Sequence, residues 1–278
     1  MFTGVRGWLR SSRIRSDCLR ANNTRTGTSR LARVLTELRS AAVVAGLRAL
    51  ARLTPYAEAE LIGLRKIVKS GDVCVDVGAA LGLYTVTLSR LVGPQGTVHS
   101  VEPLVFAHPA LSYVLRPREG RNIKRHSVAL GAEEQGREVM SVPVRHGSPV
   151  TGRSFLTAGA DGLGSNEEFD EHLDVLVKTD TLDHFVEENG ITRLDFVKAD
   201  VEGAELRVLE GAKETIERFK PAFLLEIEER HVERFGYHPQ DVADFLTERG
   251  YRMSTWHGSE WVPANGIGGE MRNYLFRA

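Results

Sequence analysis

The order of apolar and polar positions divides the chain into short blocks. Val73-Cys74-Val75-Asp76-Val77 is a nearly continuous apolar run of the kind found in a parallel strand covered on both faces. Ahead of it, Thr54-Pro55 supplies an N-cap and first-turn pair, Tyr56–Lys69 has helical spacing, and Ser70-Gly71-Asp72 ends the helix. Behind it, Gly78 and Gly82 mark a turn before Leu83–Leu91 resumes a helical period. Further strands are predicted at Gly96–Val101, Ile123–Leu130, Val139–Val144, Val175–Thr179, Leu194–Ala199, Phe223–Ile227, Tyr251–Thr255 and Tyr274–Phe276. Helices are predicted around Leu104–Leu115, Leu182–Asn189, Ala204–Glu217 and Gln240–Arg249. Strands alternating with helices imply a mostly parallel α/β sheet. Ser148–Asp170, rich in Gly, Ser and Asp, reads as a long surface loop over one edge, the kind that often serves as a lid or substrate loop.

Upstream the pattern differs. Residues 1–29 hold no sustained apolar period and read as poorly ordered. Leu31, Val34, Leu35, Leu38, Ala42 and Ala45 then recur at helical spacing, with Arg33, Glu37, Arg48 and Arg52 mostly on other faces, which gives a basic amphipathic helix. Its longest apolar stretch, Ala41–Leu47, is far short of the roughly 20 residues that span a bilayer. Three readings stand: a helix packed on the domain or a second subunit, a peripheral membrane contact through residues 30–53, or an Arg-rich targeting segment. Charge sharpens the division. Residues 1–52 carry eleven arginines against Asp17 and Glu37, a net +9, so a whole-chain charge of −1 leaves −10 on residues 53–278. The expected domains are a basic, partly disordered extension over 1–52 and an α/β domain over 53–278. With 278 residues, 42% hydrophobic and 26% charged, the chain has ample core and no collagen-like or disordered composition. Two cysteines, Cys18 and Cys74, exclude a disulfide framework and a cysteine zinc site, and a cytoplasmic, reducing setting fits them.

The turn after the first strand carries the chemistry. Its spacing is Gly-x-x-x-Gly, not the Gly-x-Gly-x-x-Gly of a dinucleotide site, and no phosphate-loop Gly-Lys-Ser/Thr or Gly-x-Ser-x-Gly elbow occurs. What remains is a glycine turn with Asp76 before it, opening onto a helix N-terminus whose free N–H groups favour a carboxylate. S-adenosyl-L-methionine has such a carboxylate beside a cationic ammonium and sulfonium. Glu102, at the end of the next strand and about twenty residues after the turn, stands where an acid accepts ribose hydroxyls.

Asp76-Val77-Gly78-Ala79-Ala80-Leu81-Gly82-Leu83-Tyr84-Thr85, Val101-Glu102-Pro103, Val128-Ala129-Leu130-Gly131, Thr181-Leu182-Asp183, Asp195-Phe196-Val197-Lys198-Ala199-Asp200-Val201-Glu202-Gly203-Ala204-Glu205 and Leu209-Glu210-Gly211-Ala212 resemble the FkbM-type S-adenosylmethionine-dependent methyltransferases. The resemblance runs from about Gly71 to Phe276. It implies a class I methyltransferase (Rossmann-like) fold with a mostly parallel seven-stranded sheet, and methylation of hydroxyls on sugars or natural products. It also implies that Asp76, Gly78, Gly82 and Tyr84 line the methionyl side, that Glu102 holds the ribose, and that Ala129-Leu130 border the adenine. One departure stands out: the family usually has Asn where this chain has Ala80.

Transfer to a hydroxyl needs alignment and removal of a proton. Asp200, at the carboxyl end of the fourth strand, is expected to orient the methionyl ammonium or the acceptor, with Glu202 or Glu226 as candidate base; helix capping is the competing reading of Asp200 and Glu202. Lys198 shares a strand face with Asp200 and needs an acid partner, for which Glu226 is one candidate. Asp200, Glu202, Glu226, Glu228 and His231 offer donors near one edge, so a divalent ion is conceivable but not expected. Trp256 and Trp261, flanking Gly258-Ser259, read as hairpin packing before acceptor stacking. The acidic domain argues for a small-molecule or carbohydrate acceptor and against nucleic acid. A nucleic-acid methyltransferase and a non-catalytic cofactor-binding scaffold remain the alternatives, and oligomeric state is not read from the sequence.

Overall fold

The computed structural model describes residues 59–104, 121–268 and 271–278. The basic extension, the membrane-contact reading of residues 30–53 and nearly all of the helix expected over Leu104–Leu115 lie outside the described residues. In chain order the strands are β1 (Val73–Val77), β2 (Thr97–Val101), β3 (Ile123–His126), β4 (Ala129–Leu130), β5 (Gly136–Arg145), β6 (Ser148–Pro149) and β7 (Phe155–Leu156). They continue as β8 (Glu171–Asp180), β9 (Phe196–Ala199), β10 (Ala222–Glu226), β11 (Arg252–Trp256), β12 (Trp261–Pro263) and β13 (Asn273–Arg277). The α-helices are α1 (Glu60–Gly63), α2 (Leu83–Val92), α3 (Leu182–Glu188), α4 (Glu205–Glu210), α5 (Lys213–Phe219), α6 (Glu229–Val232) and α7 (Pro239–Thr247).

The central sheet has the order β12-β11-β13-β10-β9-β1-β2-β3. Five strands, β3, β2, β1, β9 and β10, run parallel, while β13, β11 and β12 are each antiparallel to their neighbours. This corrects the seven-stranded, mostly parallel expectation: the sheet is mixed and has an eighth strand. The extra strand, β12, is three residues long and closes a hairpin on β11, too short to leave a periodic signal. In that hairpin the Trp256 and Trp261 rings lie 5.3 Å apart and Trp261 Nε1 donates to the Gly63 carbonyl, so both pack against the α1 segment.

The apolar run of β1 is explained by two cores. Val75 and Val77 face one side with Val197, Ala199, Phe223 and Leu225. Cys74 faces the other with Val98, Phe196, Leu224 and Leu275. Burying each such side chain stabilises the fold by about 1.5–3 kcal/mol.

A second difference concerns Val139–Val144 and Val175–Thr179, which do not join the central sheet. They belong to β5 and β8, an antiparallel pair at the heart of a separate five-stranded sheet with β4, β6 and β7. The segment expected as one strand over Ile123–Leu130 is divided between the sheets, β3 in one and β4 in the other. The residue pattern accounts for this. Met140, Val142 and Val177 are buried with Leu104, Ala129 and Leu156, while the opposed pair Val139 and Leu176 faces solvent. One covered face suits a solvated antiparallel sheet rather than a parallel strand.

Ser148–Asp170 is more ordered than a loop. It holds β6, β7 and 3-10 turns at Thr151–Arg153 and Gly164–Glu168, tied together where Asn166 Nδ2 donates to the Arg153 carbonyl at 2.7 Å and Arg153 Nη2 donates to Asn166 Oδ1 at 3.1 Å. The helix expected over Ala204–Glu217 is broken at Gly211-Ala212 into α4 and α5. Among the described residues no helix is long and apolar enough to cross a membrane.

Candidate active site

The chain runs β1, β2, β3 to one side of the sheet and returns to build β9 and β10 on the other, so the order reverses between β1 and β9. Ligands of open α/β sheets bind outside the carboxyl ends of the strands at such a point. The backbones meet closely there: register pairs Asp76 with Lys198 and Val77 with Ala199, and the Asp200 N–H donates to the Val77 carbonyl at 3.1 Å. Gly78 follows with φ 72°, and a Cβ at this position would stand 1.8 Å from the Asp200 carbonyl oxygen. Only glycine meets both conditions.

Two adjoining cavities open at this crossing. One spans about 700 Å³ of space that is continuous with solvent. Glu102 and Asp200 lie on its polar side, and Leu104, Val128, Ala129, Leu130, Met140 and Leu156 form an apolar slot. The other is bounded by Asp76, Leu83, Tyr84 and Lys198. Gly78, Ala80, Thr151, Gly152 and Asp200 border both, which makes them two halves of one crevice.

Asp76 is fully buried. Its Oδ2 accepts from Thr85 Oγ1 at 2.5 Å, and that hydroxyl also meets Ser100 Oγ at 3.0 Å. Glu102 accepts two main-chain hydrogen bonds, from Ala80 N–H to Oε2 at 2.8 Å and from Leu104 N–H to Oε1 at 2.7 Å. Burial pushes its pKa up, against the pull of those two donors. Gly82, with φ 73°, caps α2 and donates to the Ala79 carbonyl, so it shapes the turn from behind while Leu81 and Leu83 reach the cavity. Ala80, the departure from the family, has φ 40°, a left-handed conformation that Asn tolerates better than Ala. Lys198 is buried with its Nζ 5.0 Å from the Tyr84 ring centroid and 3.8 Å from Asp200 Oδ2, so the structure gives it Asp200 as acid partner.

Beyond Asp200 the site is built from charged side chains. Glu202 lines the cavity that also holds Glu102, with φ 55°, a positive value for a non-glycine residue. Its Oε2 lies 3.2 Å from His231 Nδ1 and 3.7 Å from Arg153 Nε. Burial, with Asp200 close by, holds the Glu202 carboxyl well above the usual carboxylate range. Glu205, completely buried, accepts from the Val201 and Gly203 N–H groups at 3.1 and 3.3 Å, and burial pushes it up to about 7. Glu226 ends β10 opposite Asn273 and borders neither half of the crevice. Of the proposed divalent-ion donors, Asp200, Glu202, Glu226, Glu228 and His231 do not converge as a ligand set. Among the described residues the atoms that do, within 4.8 Å of one another, belong to Asp180, His184 and Glu188. There His184 is already engaged, with Nδ1 2.9 Å from Asp180 and Nε2 2.7 Å from Gln135.

The family model for the methyltransferase FkbM domain matches residues 76–253. The chain belongs to the FkbM methyltransferase family. The α/β fold with its mixed central sheet is thus that of a methyltransferase FkbM domain. Among solved structures, the FkbM methyltransferase of Methylobacillus flagellatus is 16% identical with a TM-score of 0.46, over 88% of this chain and 59% of that one. This chain thus spans little more than half the length of that relative. A methyltransferase of Aquifex aeolicus is 13% identical over 84% and 97% of the two chains with a TM-score of 0.41. Aeropyrum pernix fibrillarin, in complex with S-adenosyl-L-methionine, is 15% identical over 76% and 68% with a TM-score of 0.40. No curated protein sequence matches this FkbM-family chain.

Set against the sequence, the family motifs converge: Asp76, Gly78, Tyr84, Glu102, Ala129, Leu130, Asp200 and Glu202 all border the crevice. Sequence reasoning missed Thr85, which holds Asp76, and Met140, Leu156, Thr151 and Gly152, which the second sheet and its excursion bring over the crevice. Thr85 had a signal, one turn into α2 with its hydroxyl toward the strand end. Thr151 and Gly152 fall within Ser148–Asp170, the segment read as a lid or substrate loop, although no pattern singles out these two residues in it.

Proposed function

We propose that this FkbM-family chain is an O-methyltransferase that uses S-adenosylmethionine to methylate a hydroxyl of a saccharide, glycolipid or secondary metabolite. The observation that carries the reading is the place of Asp200: it borders both halves of the crevice, between the Glu102 side and Glu202. The residues present fit the cofactor. The apolar slot around Ala129 and Leu130 suits an adenine. Each Glu102 oxygen, engaged by one N–H, keeps a lone pair for a ribose hydroxyl. The first turn of α2 beside Asp76 and Tyr84 offers N–H groups to a carboxylate and acids to an ammonium. The cofactor supplies a methyl group on a positively charged sulfur, which keeps the electrons of the broken carbon–sulfur bond.

The chain's own residues do the rest. Asp200, with 29% of its side chain exposed, orients the acceptor or the ammonium. Glu202 takes the hydroxyl proton, and the burial that raises its pKa makes its ionised form a stronger base than an ordinary carboxylate. Thr151 and Gly152 border both halves where donor and acceptor would meet. The net charge of −10 over residues 53–278 favours a small acceptor over nucleic acid.

Calorimetric titration with S-adenosylmethionine, followed by a methyl-transfer screen over sugars, glycolipids, hydroxylated small molecules and RNA, tests this. The expected result is binding, turnover on a hydroxyl acceptor, and loss of that turnover in a folded Asp200→Asn variant. Turnover on RNA alone would overturn the acceptor class, and binding without any turnover would favour a scaffold.

A further inference from the structure

The turn that carries Glu202 is unusually constrained. Glu202 and Gly203 have φ 55° and 103°. The Glu205 carboxylate accepts from N–H groups on both sides of Glu202, and the Tyr237 hydroxyl donates to the Gly203 carbonyl. A Cβ at Gly203 would stand 2.3 Å from the His231 carbonyl oxygen, so the turn is pressed against the end of α6. A non-glycine residue in the left-handed region costs of order 1–3 kcal/mol and persists only where its surroundings impose it.

The constraint delivers Glu202 Oε2 to a buried group of polar atoms. His231 Nδ1 is 3.2 Å away and Arg153 Nε is 3.7 Å away. His231 is 5% exposed and Arg234 3% exposed. Glu202 Oε2, Arg153 Nε, His231 Nε2, and Arg234 Nε and Nη1 are all buried without an aligned hydrogen bond. Buried polar atoms without partners are costly, and a group of them beside an acid at a ligand crevice marks a site whose bonds align when substrate is present.

We infer that His231 is a positioning residue for the base: its Nδ1–H holds the Glu202 carboxylate toward the acceptor hydroxyl and stabilises the ionised form. The inference rests on the reading of Glu202 as base. Arg153 faces the same oxygen from the turn over the crevice and adds a fixed positive charge. The groups that set the acidity of Glu202 are Asp200 and Glu205, which oppose ionisation, and Arg153 and Arg234, which favour it. His231 faces Glu228, Arg230, Arg234 and Arg153. Burial holds the ring down to about 4, so near neutral pH it is an uncharged donor and not a rival acid. The side chain of Glu202 is 15% exposed although Oε2 is buried, so the carboxyl reaches the crevice while His231 holds it from behind. In the reaction the acceptor O–H bond breaks and its proton passes to Glu202. His231 keeps its own proton throughout.

Three variants, each checked for folding by thermal melting and for cofactor binding by titration, decide the matter. Glu202→Gln should lower kcat by about 10²–10⁴ with S-adenosylmethionine affinity unchanged. His231→Leu should lower kcat by roughly 10–100-fold and move the acidic limb of the kcat profile to higher pH by about one unit, because loss of the donor raises the carboxyl pKa. His231→Asn, whose amide nitrogen stands near the position of Nδ1, should recover much of the rate and return the limb toward its wild-type place. An unmoved limb in folded His231→Leu, or failure of His231→Asn to restore it, would overturn the role of His231. If Glu202→Gln itself turns over normally, the base assignment fails, and the His231 inference falls with it.

Discussion

The two sides of the crevice are built on opposite principles. On the side proposed to hold the cofactor the main chain does most of the work: Glu102 accepts from two main-chain N–H groups, Asp76 accepts from a buried hydroxyl, and Gly78 lets two backbones touch. Around Glu202 the work is done by side chains from three separate segments, and several of their buried polar atoms have no aligned partner. A ligand of one fixed shape can be met by a rigid frame satisfied in advance. An acceptor side that keeps unpaired donors and acceptors retains polar capacity for what it binds.

The sharpest way to break this contrast is at the frame. Gly78→Val places a branched side chain where a single Cβ already lies 1.8 Å from the Asp200 carbonyl. It should destabilise the protein by about 3 kcal/mol or more and abolish cofactor binding, read by melting and titration. Next in size, Glu102→Gln replaces a two-acceptor carboxylate with a group having one acceptor, so either Ala80 or Leu104 N–H faces an amide NH2. Cofactor affinity should fall roughly 10–100-fold, and unchanged affinity would remove the ribose assignment.

A smaller effect belongs to the acceptor side. Glu205 is held up to about 7 in the folded protein, above the ordinary value of 4.5. A raised carboxyl favours the folded state fully at pH below 4.5, and that contribution is lost as pH climbs through 7. Glu205→Gln, which stays neutral, should therefore be more stable than wild type at pH 8 by on the order of 1–2 kcal/mol and show no advantage at pH 4, as measured by denaturant unfolding. The smallest change is Ala80→Asn. Relief of the left-handed Ala at φ 40° should raise the melting temperature by about 1–2 °C.

The same contrast governs what the sequence made legible. Local signals named the cofactor side: a strand, a Gly-x-x-x-Gly turn and an acid on the next strand lie within thirty or so residues, and the fold sets them side by side without surprise. The other side depends on contacts between distant segments. Arg153 and His231 are 78 positions apart in the chain and meet only through packing of the excursion on α6. Glu202 in a left-handed conformation has no glycine to announce it. The strands β5 and β8 were recognised as strands but placed in the wrong sheet, because alternation fixes which face is covered and not which neighbour pairs. The extension before residue 53 stays a reading of charge and period alone.

The closure of β1 on β9 has a consequence for how such a scaffold diversifies. Main-chain contact at Gly78 and Asp200 joins β1 directly to β9, but the roughly seventy residues that intervene between β3 and β9 supply Ala129 and Leu130 to the apolar slot and Thr151 and Gly152 to both halves of the crevice. Lengthening, trimming or exchanging that stretch with its counterpart from a relative should therefore change acceptor choice and the grip on the donor together, while the β1–β9 junction stays as it was.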